Sequence, residues 1–138
     1  LLNSLQDAID EQERAPHTSD AAAIRMYHRA DERFHRLIAE HADNSALLRA
    51  YDALGGHGQR FRLFIGVGVQ DSACAIAEHR ELLAALRRGY GPEVYRIMHA
   101  HISGVKERAL AEHAQAERIE QRRRAPSRVR ASLTGAAD

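Results

Sequence analysis

The chain has 138 residues and a mass of 15.4 kDa, one domain's worth of protein, since single domains most often run to about 100–150 residues. Hydrophobic residues make up 44% and charged residues 28%, which excludes disorder throughout and a collagen-like or disulfide scaffold; 25 alanines and no tryptophan favour helix over strand. The formal net charge of +1 divides unevenly, with 14 basic and 17 acidic groups in residues 1–117 and six arginines against Glu120 and Asp138 in residues 118–138.

Leu2, Leu5, Ile9 and Gln12 recur at i, i+3/i+4 and predict a short first helix, with Asn3 or Ser4 as cap and Ala15-Pro16 as its end. Ser19 or Asp20 caps a long second helix whose apolar side runs Ile24, Tyr27, Phe34, Leu37, Ile38 and Ala42 before Asp43-Asn44 breaks it. Asn44 caps a third, carrying Leu47, Leu48, Tyr51, Leu54, Phe61, Leu63, Phe64 and Ile65. Gly55, Gly56 and Gly58 each cost about 1 kcal/mol relative to Ala inside a helix, and predict a kink or break there. Gly66, Gly68 and Asp71 mark a loop. Ser72 then caps a helix with Ile76, His79, Leu82, Leu83 and Leu86 on one side, stopped at Arg87-Arg88-Gly89. Gly91-Pro92 begins the last helix, where proline's missing N–H is not needed, and it carries Val94, Ile97, Met98, His101, Ile102, Val105 and Ala109 before fraying after Ile119.

Nothing alternates as a half-buried strand must, so the fold class is all-α, an antiparallel helical bundle over residues 1–119 with a basic, disordered tail over 120–138. Nucleic-acid affinity inferred from the pI of 8.2 would belong to that tail. Cys74 is the only cysteine, which rules out an internal disulfide and a Cys-based zinc site and points to the reducing cytoplasm. No apolar run is long enough to span a bilayer. The chain opens on Leu1 rather than Met, as a piece of something longer would.

Histidine is the outlier, at nine residues. At 100° per residue, Asp31 and His35 lie about 40° apart and roughly 6 Å along one helix, on the stripe of Ile24, Tyr27 and Ile38. His79 is in register with Leu82, Leu83 and Leu86; His101 is in register with Val94, Ile97, Met98 and Val105. Three buried imidazoles and a carboxylate carry a large desolvation cost unless something pairs them, and a divalent ion such as Zn²⁺, Ni²⁺, Co²⁺ or Fe²⁺ does so directly. Any one of these histidines taken alone is more simply a satisfied core or rim residue, and Asp31 could pair with an arginine. His28 falls on nearly the same face as His35 and is not separated from it by spacing. His17, His41, His57, His99 and His113 read as solvent histidines.

The stretches Asp31-Glu32-Arg33-Phe34-His35, His41-Ala42-Asp43-Asn44-Ser45-Ala46-Leu47, Glu78-His79-Arg80-Glu81-Leu82-Leu83-Ala84-Ala85-Leu86 and Met98-His99-Ala100-His101-Ile102, in this order and separation, resemble the FCD domain. This is the ligand-sensing C-terminal domain of the FadR branch of GntR-type bacterial transcription regulators, and the pattern spans about residues 2–118. The resemblance implies a bundle of six to seven helices with a metal at the base of a pocket. It carries the ligand roles to Asp31, His35, His79 and His101, and so prefers His35 over His28. A small carboxylate effector would complete the metal's shell, with Arg60 as an added clamp; Arg60 reads equally well as a surface arginine, and Asn44 better as a helix cap than as an effector contact. The family's first bundle helix and its DNA-reading winged helix-turn-helix have no counterpart here, so Leu1 is expected to start inside the sensor domain.

The resulting expectation is a non-enzymatic effector-binding domain of a transcription regulator, homodimeric, with DNA as the partner of the absent winged helix and with no membrane. Two other readings use the same residues: a helical-bundle metalloenzyme, or a dimerisation module with metal-free buried histidines. Against the enzyme, paired Glu-x-x-His motifs are absent and Glu78 lies about 100° off the face of His79, so no carboxylate is clearly placed as a general base.

Overall fold

A computed structural model describes residues 1–16, 18, 20–64 and 72–124, with the side chains of 56–64 left out. It is all-helical over those residues: α1 (Leu2–Arg14), α2 (Ala21–Glu40), α3 (Ser45–Phe64), α4 (Ser72–Arg88) and α5 (Gly91–Arg124) form an antiparallel bundle. α1 packs on both α2 and α4, α4 on α5, and α2 on α3. The core is where α1, α2 and α4 meet, around Leu5, Ile9, Phe34, Leu82 and Leu83, each at most 2% exposed. Burying one such side chain stabilises the fold by about 1.5–3 kcal/mol.

The helix boundaries follow local chemistry. Asp20 Oδ2 accepts from the backbone N–H groups of Ala22 (2.9 Å) and Ala23 (3.1 Å), so Asp20 caps α2. Asn44 Oδ1 does the same for α3, at 3.1 Å from Ala46 N and 3.0 Å from Leu47 N. Between these helices Asp43 adopts φ 49°, a left-handed conformation that aspartate tolerates better than most residues. α4 ends at Gly89 with φ 72°, where the missing Cβ matters, and its N–H closes back on Ala85 and Leu86 carbonyls. Pro92 then occupies the opening turn of α5.

Four expectations need correction. The first helix is preceded by Leu1 with no side-chain cap, so neither Asn3 nor Ser4 serves; both lie within α1. Of the kink or break expected at Gly55, Gly56 and Gly58, the break is corrected: the backbone of α3 continues through them, since a cost of about 1 kcal/mol per glycine is small enough for the rest of the helix to absorb. Of the apolar side read for that helix, Leu47 and Leu54 are exposed and Leu48 and Tyr51 half-buried, because among the described residues α3 packs closely on α2; the side chains of Phe61, Leu63, Phe64 and Ile65 lie outside the described residues. Finally, α5 runs past Ile119 to Arg124, helped by i, i+4 pairs between His113 and Glu117 (3.7 Å) and between Glu120 and Arg124 (2.7 Å). Residues 125–138, which hold most of the expected tail, lie outside the described residues, as do Ser19, Gly66, Gly68 and Asp71.

Candidate metal centre

The buried faces of the helices read at helical spacing, and polar residues interrupt each at one level. On α1 the run Leu5, Ala8, Ile9 continues to Gln12; on α2 the run Ala23, Tyr27, Ala30, Phe34 includes Asp31; on α4 Ile76 and Leu82 flank His79; on α5 Ile97 precedes His101. Gln12, Asp31, His79 and His101 are all buried. His35, one residue beyond Phe34, is half-buried.

These helices bring His35, His79 and His101 to one point. All three Nε2···Nε2 separations are 3.3 Å. The rings are held by packing: Phe34 stacks on His79 with centroids 4.2 Å apart, and His35 stacks on His101 at 5.1 Å. Asp31 Oδ1 lies 3.9 Å from His35 Nε2 and 3.8 Å from His79 Nε2.

Hydrogen bonds on the far side of two rings set which nitrogen carries the proton. His79 Nδ1 is 2.9 Å from Gln12 Oε1, and His101 Nδ1 is 2.6 Å from Glu78 Oε2. An amide oxygen and an ionised carboxylate only accept, so both Nδ1 atoms donate, and in a neutral ring so held the lone pair falls on Nε2. Burial pushes Glu78 up, but hydrogen bonds from Arg108, His101 and Cys74 outweigh it and leave its pKa below the ordinary value, which keeps it ionised. Burial holds His79 down at about 3; His35 and His101 add to this, against the opposing pull of Asp31 and Glu78. His79 is therefore the neutral, metal-competent imidazole at neutral pH.

Two inward lone pairs 3.3 Å apart repel, and no hydrogen bond can join them. A shared cation relieves that repulsion. With metal–nitrogen bonds of about 2.1 Å, donors 3.3 Å apart subtend about 104° at the ion, close to the tetrahedral angle of about 109°. Asp31 Oδ1, 3.9 and 3.8 Å from two of these nitrogens, is farther than the roughly 3.4 Å that separates donors on a tetrahedral ion, so it stands slightly back from a fourth donor position. Among the described residues, the three histidines form a group able to hold a metal ion.

A family model described as the FCD domain matches residues 1–104. The chain belongs to the FCD family. FCD domains are the regulatory, effector-binding domains of GntR-family transcription regulators and are not typically enzymes. No curated protein and no solved structure matches this FCD chain. Within the described residues of this FCD domain, no helix is long and apolar enough to cross a membrane.

Of the residues singled out from sequence, the fold gathers His35, His79 and His101 and sets Asp31 beside them. His28 stands apart, half-buried with its ring against Tyr27 at 5.5 Å. Asn44 is a helix cap. His41 and His99 are exposed as expected, whereas His113 is half-buried. The side chains of Arg60 and His57, and the whole of His17, lie outside the described residues. A groove lined by Arg29, Glu32, Arg33, Arg36, Leu37 and Glu40 involves none of the four candidate ligands.

Three residues with a part in the site were missed. Glu78 reaches His101 from a neighbouring helix, so its angle relative to His79 carried no information about it. Arg108 sits seven residues after His101, on the same face of α5, and donates to both Glu78 oxygens at 3.1 and 3.2 Å. Gln12 was legible as a polar residue on an apolar register.

Proposed function

We propose that this FCD domain binds a divalent metal through His35, His79, His101 and Asp31, and senses a small organic acid there, to control DNA binding by an attached winged helix-turn-helix domain. The observation that carries the reading is the triangle of Nε2 atoms, two of them held as lone-pair donors by their Nδ1 partners. The N₃O donor set suits Zn²⁺, Ni²⁺, Co²⁺ or Fe²⁺. A divalent ion held there supplies a fixed positive charge and a position for a carboxylate oxygen.

The chain's own residues do the rest. Phe34 shields the His79 ring on one face, and the half-buried His35 marks the solvent-side edge of the cluster. Arg60 is the proposed clamp for the acid's carboxylate. The acid acts by binding one arrangement of a homodimer better than another, and its differential affinity sets how far the DNA readers shift. Binding rather than catalysis is favoured by the state of Glu78: this carboxylate is tied to Arg108 and His101 instead of standing free as a base.

Elemental analysis after reconstitution with Zn²⁺ or Ni²⁺, followed by thermal unfolding with and without chelator and across a panel of small organic acids, tests the reading. Bound metal, a chelator-sensitive melt and further stabilisation by at least one acid are expected. A metal-free protein whose melt ignores chelator after reconstitution refutes it.

A further inference from the structure

We infer that Glu78, locked by Arg108, is a positioning residue for this centre: it fixes His101 as the Nδ1–H tautomer and so turns the Nε2 lone pair toward His35 and His79. The inference rests on the metal reading above, but its first readout does not require metal.

Glu78 Oε2 accepts a hydrogen bond from His101 Nδ1–H at 2.6 Å, while Arg108 donates to both oxygens of the same carboxylate through its two terminal nitrogens. The Cys74 thiol donates to Oε1 at 3.4 Å. With both oxygens engaged, the carboxylate cannot rotate away, and the His101 ring cannot flip without breaking a charge-assisted hydrogen bond.

The path of α5 is adapted to this arrangement. His101, Gly104 and Arg108 lie on one face at i, i+3 and i+7. A Cβ on Gly104 would stand 2.8 Å from Arg108 Nη1 and 3.8 Å from Glu78 Oε1. The glycine thus leaves the space in which the guanidinium folds back along its helix to reach Glu78. A half-exposed ion pair contributes little to stability by itself, and such a pair needs neither a glycine beneath it nor a buried imidazole attached to it. An imidazole whose remote N–H is held by a carboxylate is a more basic and better oriented ligand, and removing such a partner typically costs about 10–100-fold in metal affinity.

The test combines nitrogen-15 NMR of the histidine rings in chelator-treated protein with Zn²⁺ titration against a chromogenic chelator. It uses Glu78→Ala, Glu78→Gln, Arg108→Ala and Arg108→Lys. The wild type is expected to show His101 as the Nδ1–H tautomer. Glu78→Ala should lose that preference and bind Zn²⁺ about 10–100-fold more weakly. Glu78→Gln, which keeps an acceptor oxygen, should restore the tautomer and part of the affinity, and Arg108→Lys should exceed Arg108→Ala in affinity. Wild-type tautomer and Zn²⁺ affinity in folded Glu78→Ala would overturn the inference. Should that variant lose its helical circular dichroism, wild-type values of both readouts in Arg108→Ala decide against it equally. Failure of the wild type to take up Zn²⁺ or Ni²⁺ refutes the metal reading alone, because the tautomer comparison still decides the positioning role.

Discussion

Acidifying the metal-free protein from pH 7.5 to pH 5 is expected to lower its stability by about 2 kcal/mol through His79 alone. Burial, with His35 and His101, holds this imidazole at about 3 in the fold. In the unfolded chain it titrates near 6.5. Between those values the unfolded state binds a proton that the native state refuses, so stability rises with pH up to about 6.5 and falls below it by about 1.4 kcal/mol per unit. Because pH 5 lies about 1.5 units under the unfolded value, the loss is about 2 kcal/mol, or roughly 6–10 °C in Tm for a chain of this length. Glu78, with its pKa held below the ordinary 4.5, stays ionised throughout this window and leaves the slope to histidine. The assay is urea unfolding of chelator-treated wild type and His79→Leu at half-unit steps from pH 5 to 7.5, in which the difference in slope reports His79 together with its coupling to His35 and His101. Equal pH slopes in the two proteins would refute the argument, since His79 would then take up its proton in the folded state.

Replacing the fully buried Phe34 by Ala should cost about 3–5 kcal/mol in thermal or urea unfolding and also weaken Zn²⁺ binding, because the ring stacked on His79 is lost along with its volume. Gln12→Leu separates the two effects: removing the buried Nε2, which has no hydrogen-bond partner among the described residues, offsets the cost of orphaning His79 Nδ1–H, so stability should change by less than about 1 kcal/mol, whereas losing that acceptor should weaken Zn²⁺ binding about tenfold. Gly104→Ala should leave stability unchanged or raise it by up to about 1 kcal/mol through helix propensity, yet lower Zn²⁺ affinity by displacing Arg108 from Glu78; paired melts and chelator titrations read both signs.

Much of the bundle was legible because helical chemistry is local. The cap residues Asp20 and Asn44, the stop at Gly89 and the start at Gly91-Pro92 act through their own backbone neighbourhoods, and the structure places helix ends there. Glycine propensity, also local, misled at Gly55–Gly58, since a modest per-residue cost does not by itself end a helix. The exposed Leu47 and Leu54 show a different limit: an apolar stripe states that a face could be buried, while the neighbours available decide whether it is.

At the site, the order and spacing of the histidines along the chain sufficed to turn three imidazoles inward, because each lies in register with core residues of its own helix. What the spacing could not supply was anything between helices. His28 and His35 share a face of α2 to within the resolution of periodicity, and only the approach of α4 and α5 selects His35. The same holds for Glu78, whose carboxylate reaches His101 across the α4–α5 contact, and for Gln12, whose oxygen meets His79 from α1. Periodicity is a property of one helix, whereas a converging donor set is a property of how several helices cross. The sequence by itself therefore determined which residues share a helix face, and the tertiary packing decided which faces are buried, which residues meet and which nitrogen each presents.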